Sequence, residues 1–196
     1  MPRMIEFWYE FASPYSHLSA MRIDELAARR GVTVIWQPFL LGPIFKDNGW
    51  NTSPFVLYPA KGDYMWRDVQ RIAKSRGLPA ISRPEPFPQH SLLAARAAIA
   101  IKDMARRRTF SKLVFQQEFC SGKDISDEEN IRSCLEQAGV RSDEILQRAG
   151  MPQTKEALRS AVGKARRHGI FGAPSFIAGG ELFWGDDRLE QALDLL

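Results

Sequence analysis

Two serines three positions apart, Ser13 and Ser16, sit where an apolar run, Ile5-Glu6-Phe7-Trp8-Tyr9-Glu10, meets a helix-like run from His17 to Arg30. A strand that feeds a helix start aims backbone N–H groups and the positive end of a helix dipole into the adjoining crevice, so this junction suits an anion. Ser13 also suits the helix N-cap and Pro14 its first position, and capping alone explains both residue types. A second polar cluster, Gly185-Asp186-Asp187-Arg188, precedes the closing run to Leu196 and reads by itself as another helix cap. Other reactive side chains are sparse. Cys120 and Cys134 lack the CxxC spacing, and the histidines His17, His90 and His168 are scattered singly, so neither a metal site nor a Ser-His-Asp arrangement is expected.

These residues need a scaffold, and 196 residues are enough for one domain with a buried core, or one with an inserted subdomain. The chain is 44% hydrophobic and 26% charged, ordinary values for a soluble globular protein. The apolar stretches fall short of a membrane span, and an acid stands where a secretion signal needs apolar residues, so no membrane association is expected. Both cysteines lie in helical patterns, which predicts free thiols in a reducing, cytoplasmic setting. The net charge is +4, but Arg106-Arg107-Arg108 and Lys164-Ala165-Arg166-Arg167 lie within helical patterns, which favours solvated helix faces over a nucleic-acid patch. A mild positive field suits a small anionic substrate.

Gly31 ends the first helical run, and Val32-Thr33-Val34-Ile35-Trp36 reads as a buried strand, giving a βαβ start. Pro38 to Pro59 reads as loop or short helical pieces, long enough to be functional. A helix is expected from Lys61 or Gly62 to Arg76, and prolines impose an extended crossing over Arg83–Pro88. Ser91 to Glu118 is an alanine-rich helical stretch with a break expected near Thr109-Phe110. Helix starts follow at Ser126-Asp127-Glu128-Glu129, at Val140–Glu144 and at Thr154, the last helix closing at Gly169. Strand signals return at Ala173–Ile177 and Glu181–Trp184 around the two-residue turn Gly179-Gly180.

The order is βαβ, a helical block, then ββα with a proline entering the third strand. It resembles an α/β thioredoxin-like fold interrupted by an all-helical insertion, residues 1–38 and 154–196 forming the thioredoxin-like domain and 39–153 the insertion. Ser13-Pro14-Tyr15-Ser16 stands where redox members carry CxxC, and Gly172-Ala173-Pro174-Ser175-Phe176 where they carry a cis-proline loop. With Trp184-Gly185-Asp186-Asp187-Arg188, Phe45–Asn51 and Pro59-Ala60-Lys61-Gly62, the ordered set is similar to the 2-hydroxychromene-2-carboxylate isomerases and the related kappa-class glutathione transferases.

The resemblance implies glutathione as cofactor. A hydroxyl cannot form a mixed disulfide, so dithiol exchange at this junction is excluded. A serine can instead donate to the thiolate of a bound ligand. A free thiol near pKa ~8.5 is mostly protonated at neutral pH, and lowering that value by two units takes about 2.7 kcal/mol. One charge-assisted hydrogen bond plus a helix N-terminus is of that size. Ser13 is therefore expected to be the catalytic residue, as thiolate stabiliser rather than nucleophile. A cis Ala173–Pro174 peptide would pair with the tripeptide backbone. The Trp184-Gly185 turn with Asp186 or Asp187 would hold its γ-glutamyl end, and Lys46, Asn51 and Lys61 its glycyl end or the second substrate. Trp50 and Trp66 with Lys46 would suit an anionic aromatic substrate, as in breakdown of naphthalene-type aromatics. His90 departs from the asparagine that the resemblance implies. Relatives form dimers, so a homodimer is expected. The alternatives are a kappa-type transferase using the same thiolate, and a non-catalytic thioredoxin-fold module that binds a peptide.

Overall fold

Alternation along the first strand decides how the sheet is covered. The computed structural model describes residues 3–196, and β1 (Met4–Tyr9) is one of the two inner strands of a four-stranded sheet. It runs parallel to β2 (Thr33–Pro38) and antiparallel to β3 (Ser175–Ala178), which pairs antiparallel with β4 (Glu181–Trp184), giving the order β2-β1-β3-β4. Side chains alternate across a strand. Phe7 accordingly stacks on Phe176 and meets Trp36 edge-on at 4.9 Å in the main core, while Trp8 turns to the other face against Phe39, Val162 and Ile177. The sheet is thus buried on both faces, as its apolar strands require.

The helices follow in chain order: α1 (Pro14–Ala20), α2 (Ile23–Arg29), α3 (Gly42–Asp47), α4 (Pro54–Leu57), α5 (Pro59–Ser75), α6 (Leu92–Ala100), α7 (Met104–Ser121), α8 (Glu128–Gln137), α9 (Ser142–Gly150), α10 (Pro152–Arg167) and α11 (Leu189–Asp194). Buried Ala94, Ala95, Ala97 and Ala98 of α6 allow close approach of α9 and α10. The extended crossing at Arg83–Pro88 is present, with Glu85–Pro86 and Phe87–Pro88 both cis.

Several limits differ from the sequence expectation. The first helical run is two helices, broken at Met21-Arg22, and the turn lets the Arg22 guanidinium reach the C-terminal segment. The long alanine-rich stretch breaks at Ile101–Asp103 rather than at Thr109-Phe110. Asp103 caps α7 by accepting from the Arg106 amide at 3.0 Å, and Arg107 donates to the Ile101 carbonyl at 2.8 Å, closing α6. Thr109 stays inside α7 by donating its hydroxyl to the Ala105 carbonyl at 3.1 Å. The helices α5 and α10 start at Pro59 and Pro152, since proline fits a first turn that needs no N–H partner. Strand β3 begins at Ser175, after the Ala173-Pro174 loop. Among the described residues no helix is long and apolar enough to cross a membrane, and no cluster of metal-ligating side chains occurs.

Candidate active site

The loop between β1 and α1 is fixed from beneath by Glu10. Its carboxylate accepts from the Leu41 amide at 2.8 Å and from the Ser91 hydroxyl, and its carbonyl accepts from the Ser13 amide at 3.1 Å. Burial pushes the Glu10 carboxyl up, opposed by these hydrogen bonds. Glu118 of α7 is wholly buried and neither of its oxygens has a partner among the described residues. Burial, then the Glu10 charge, holds Glu118 well above the usual carboxylate range. Glu10 is thus surrounded by donors, whereas Glu118 has none among the described residues.

Ser13 caps α1 as the sequence predicts, accepting from the Ser16 amide at 3.1 Å. Its hydroxyl donates to the carbonyl of Ala173 at 3.0 Å, across 160 positions of sequence, and Ala173–Pro174 is cis. These are the side-chain partners of Ser13 among the described residues, and no base is one of them. His17, one turn along α1, packs between Phe115 and Phe119, and burial lowers it to about 4. Burial pushes Cys134 up to about 12, and Cys120, whose sulfur lies 3.9 Å from His17 Nε2, also rises through burial. Both cysteines are free.

The proline loop carries the next layer. The Gly185 amide donates to the Pro174 carbonyl at 3.0 Å, so the turn after β4 hangs directly on the loop. Trp184 lies over Gly172, where an added Cβ would come within 2.3 Å of the indole nitrogen. The same indole meets the Phe171 ring at 4.8 Å, and both side chains are about half exposed, at 49% and 50%. Gly185 has φ +108, a conformation that favours glycine.

The two aspartates of this turn face opposite ways. Asp186 is 3% exposed and accepts from Ser19 Oγ at 2.8 Å and from Arg76 at 2.7 Å. Its carboxylate is engaged inside the fold, with both oxygens accepting. Asp187 is 72% exposed and, among the described residues, is paired only with its neighbour Arg188, at 3.3 Å.

Lys46, Asn51 and Lys61 are exposed and make no side-chain hydrogen bond or ion pair with another described residue. Lys61 lies 5.4 Å above the Phe55 ring, which in turn neighbours Tyr15 at 6.3 Å, so a cation–aromatic series leads back to the residue two beyond Ser13. Tyr15 donates to Asp68 at 2.8 Å. Trp50 is partly exposed against Phe45, whereas Trp66 is buried, packed edge-on to Phe87 at 4.9 Å. His90 is exposed.

Sequence reasoning missed Glu10, Glu118 and the arginine partners of Asp186. An acid inside the run Phe7–Phe11 was the available signal for Glu10. Nothing local marks Arg76, which is 110 positions from Asp186.

A mixed sheet with a cis-proline loop facing a strand–helix junction defines a thioredoxin-like protein, here with serines in place of the thiol pair. The chain belongs to the DsbA-like thioredoxin family, whose model matches residues 4–196. It is 27% identical over 192 residues to the 2-hydroxychromene-2-carboxylate isomerase of Sphingobium xenophagum, covering 97% of this chain and 96% of that protein. It is also 27% identical over 210 residues to the glutathione S-transferase kappa 1 of Homo sapiens, covering 100% of this chain and 92% of the relative. In fold it is similar to a solved 2-hydroxychromene-2-carboxylate isomerase, with TM-score 0.85 at 24% identity over 96% of this chain and 91% of that one. A probable DsbA oxidoreductase from Streptomyces coelicolor matches with TM-score 0.75 at 18% identity, over 97% of this chain and 88% of that one.

Proposed function

We propose that this chain is a glutathione-dependent isomerase that interconverts 2-hydroxychromene-2-carboxylate and trans-o-hydroxybenzylidenepyruvate. The carrying observation is the Ser13 hydroxyl, 3.0 Å from the Ala173 carbonyl and with no base to activate it. Such a group is a hydrogen-bond donor awaiting an anion, not a nucleophile. The donor set fits glutathione, which brings a thiol, an ammonium and two carboxylates. Against these the chain offers a hydroxyl at Ser13, an exposed carboxylate at Asp187 and exposed Lys46, Asn51 and Lys61.

Bound glutathione would supply a sulfur whose reversible addition makes the substrate's double bond single and free to rotate. Ser13 turns its O–H from Ala173 to that sulfur, while the Ser16 amide keeps the oxygen in place. The freed Ala173 carbonyl then accepts from the tripeptide backbone, as an added strand would allow. Asp187 pairs the γ-glutamyl ammonium. The lysines hold the glycyl carboxylate or that of a small anionic aromatic substrate. The proposed enzyme is cytoplasmic and homodimeric, with residues 39–153 as the insertion that completes the groove.

Calorimetric titration of glutathione, followed by an absorbance assay of the chromene with and without glutathione, tests this. Turnover that requires glutathione and falls with Ser13→Ala is the expected result. Conjugation of an aryl halide without chromene isomerisation would instead identify a kappa-type transferase, a reading favoured by the equal identity to the human relative. A folded protein that does not retain glutathione at millimolar concentration would be a peptide-binding module.

A further inference from the structure

We propose that Asp186 is a positioning residue that clamps the turn after β4 to helix α1, and that Arg22 and Arg76 hold the clamp shut. The inference rests on the glutathione reading for its functional consequence, though not for the clamp itself. One oxygen of Asp186 accepts from Ser19 Oγ at 2.8 Å and from Arg22 Nε at 3.4 Å; the other accepts from Arg76 at 2.7 Å. Arg22 also donates to the Asp186 carbonyl at 2.6 Å, holding backbone as well as side chain. Arg76 has no other side-chain partner among the described residues, so its guanidinium serves this contact alone.

Three elements therefore converge on one buried carboxylate: α1 through Ser19, the following turn through Arg22, and the end of α5 through Arg76. Helix α1 begins at Ser13, and the clamped turn is hung on the Ala173-Pro174 loop by the Gly185–Pro174 hydrogen bond. The clamp thus ties the Ser13 half of the groove to the half that presents Asp187. With Asp186 drawn inward, the next residue is directed to solvent. Loss of the clamp should free the turn and weaken recognition of the γ-glutamyl end while leaving Ser13 in place.

The test uses Asp186→Asn, Arg76→Ala and Arg76→Lys in the full chain, with Glu190→Gln as control, since Glu190 touches Arg22 only at the surface. Amide exchange reads the clamp without any ligand: the Gly185 and Arg188 amides should exchange at least about tenfold faster in Asp186→Asn and Arg76→Ala, with the β1–β3 amides unchanged. Glutathione Kd should rise about tenfold, with kcat at saturating glutathione within about twofold of the parent. Arg76→Lys should recover most of the affinity, and Glu190→Gln should match the parent. Unchanged exchange at Gly185 and Arg188, or a fall in kcat with Kd unmoved, overturns the proposal. If the parent protein does not bind glutathione at all, the proposed function fails while the exchange result still decides the clamp. Should Asp186→Asn not fold, Arg76→Ala leaves Ser19 and Arg22 on the carboxylate and carries the same readouts.

Discussion

Ser13 makes a capping bond and a loop-bridging bond with one hydroxyl, and the two separate under substitution. Ser13→Ala should cost about 1 kcal/mol of stability as a lost cap. On the proposed reading it should also lower turnover by roughly ten- to a hundredfold, the worth of a hydrogen bond to a charged group. Thermal unfolding compared with chromene turnover at saturating glutathione checks the pair, and parallel losses would leave Ser13 a cap alone. Gly172 gives a second residue-level expectation. A Cβ there meets the Trp184 indole nitrogen at 2.3 Å, so Gly172→Ala should displace the ring. Tryptophan fluorescence should report the change, with a stability loss of about 1–3 kcal/mol of the kind overpacking produces.

At the scale of elements, the boundary between α6 and α7 depends on Asp103 and Arg107. Asp103→Ala removes the side-chain acceptor for the Arg106 amide and should lower stability by about 1 kcal/mol, measurable by denaturant unfolding. Arrangements of this kind explain which limits were legible in the sequence. The turn at Gly31, the N-cap at Ser13 and the Gly179-Gly180 hairpin turn carry local signals, and each stands where the sequence places it. The break after Ala100 was misplaced because Thr109 is a poor helix former whose hydroxyl finds a local carbonyl, whereas the real break is stabilised by Arg107 from the next helix. The split at Met21-Arg22 was invisible for a related reason, since Arg22 is turned toward partners more than 160 positions away. For the site, Ser13 and Ala173 were legible as motifs, and only the three-dimensional structure separates the inward Asp186 from the outward Asp187.

Across the whole molecule, two buried titratable groups pull stability in opposite pH directions. His17 is lowered from 6.5 to about 4 by burial, so its contribution is present above 6.5 and is lost as pH falls toward 4, by up to about 3 kcal/mol. Glu118 is raised, so its contribution is full below the ordinary carboxylate value of ~4.3 and is lost as pH climbs through its folded value. Glu118→Gln should flatten the alkaline side of a stability–pH curve, where the buried carboxyl of the parent must ionise. His17→Phe should flatten the acid side, and denaturant midpoints across pH measure both.

The hydroxyl at Ser13 has a consequence for how such an enzyme meets oxidants and alkylators. Its redox cousins wear their reactive sulfur as part of the chain and can be poisoned there. This protein carries a hydroxyl at that junction and burial raises both of its thiols, so iodoacetamide has no target at Ser13. On the proposed reading, turnover would instead track how much reduced glutathione its surroundings hold: the enzyme borrows its vulnerability along with its sulfur.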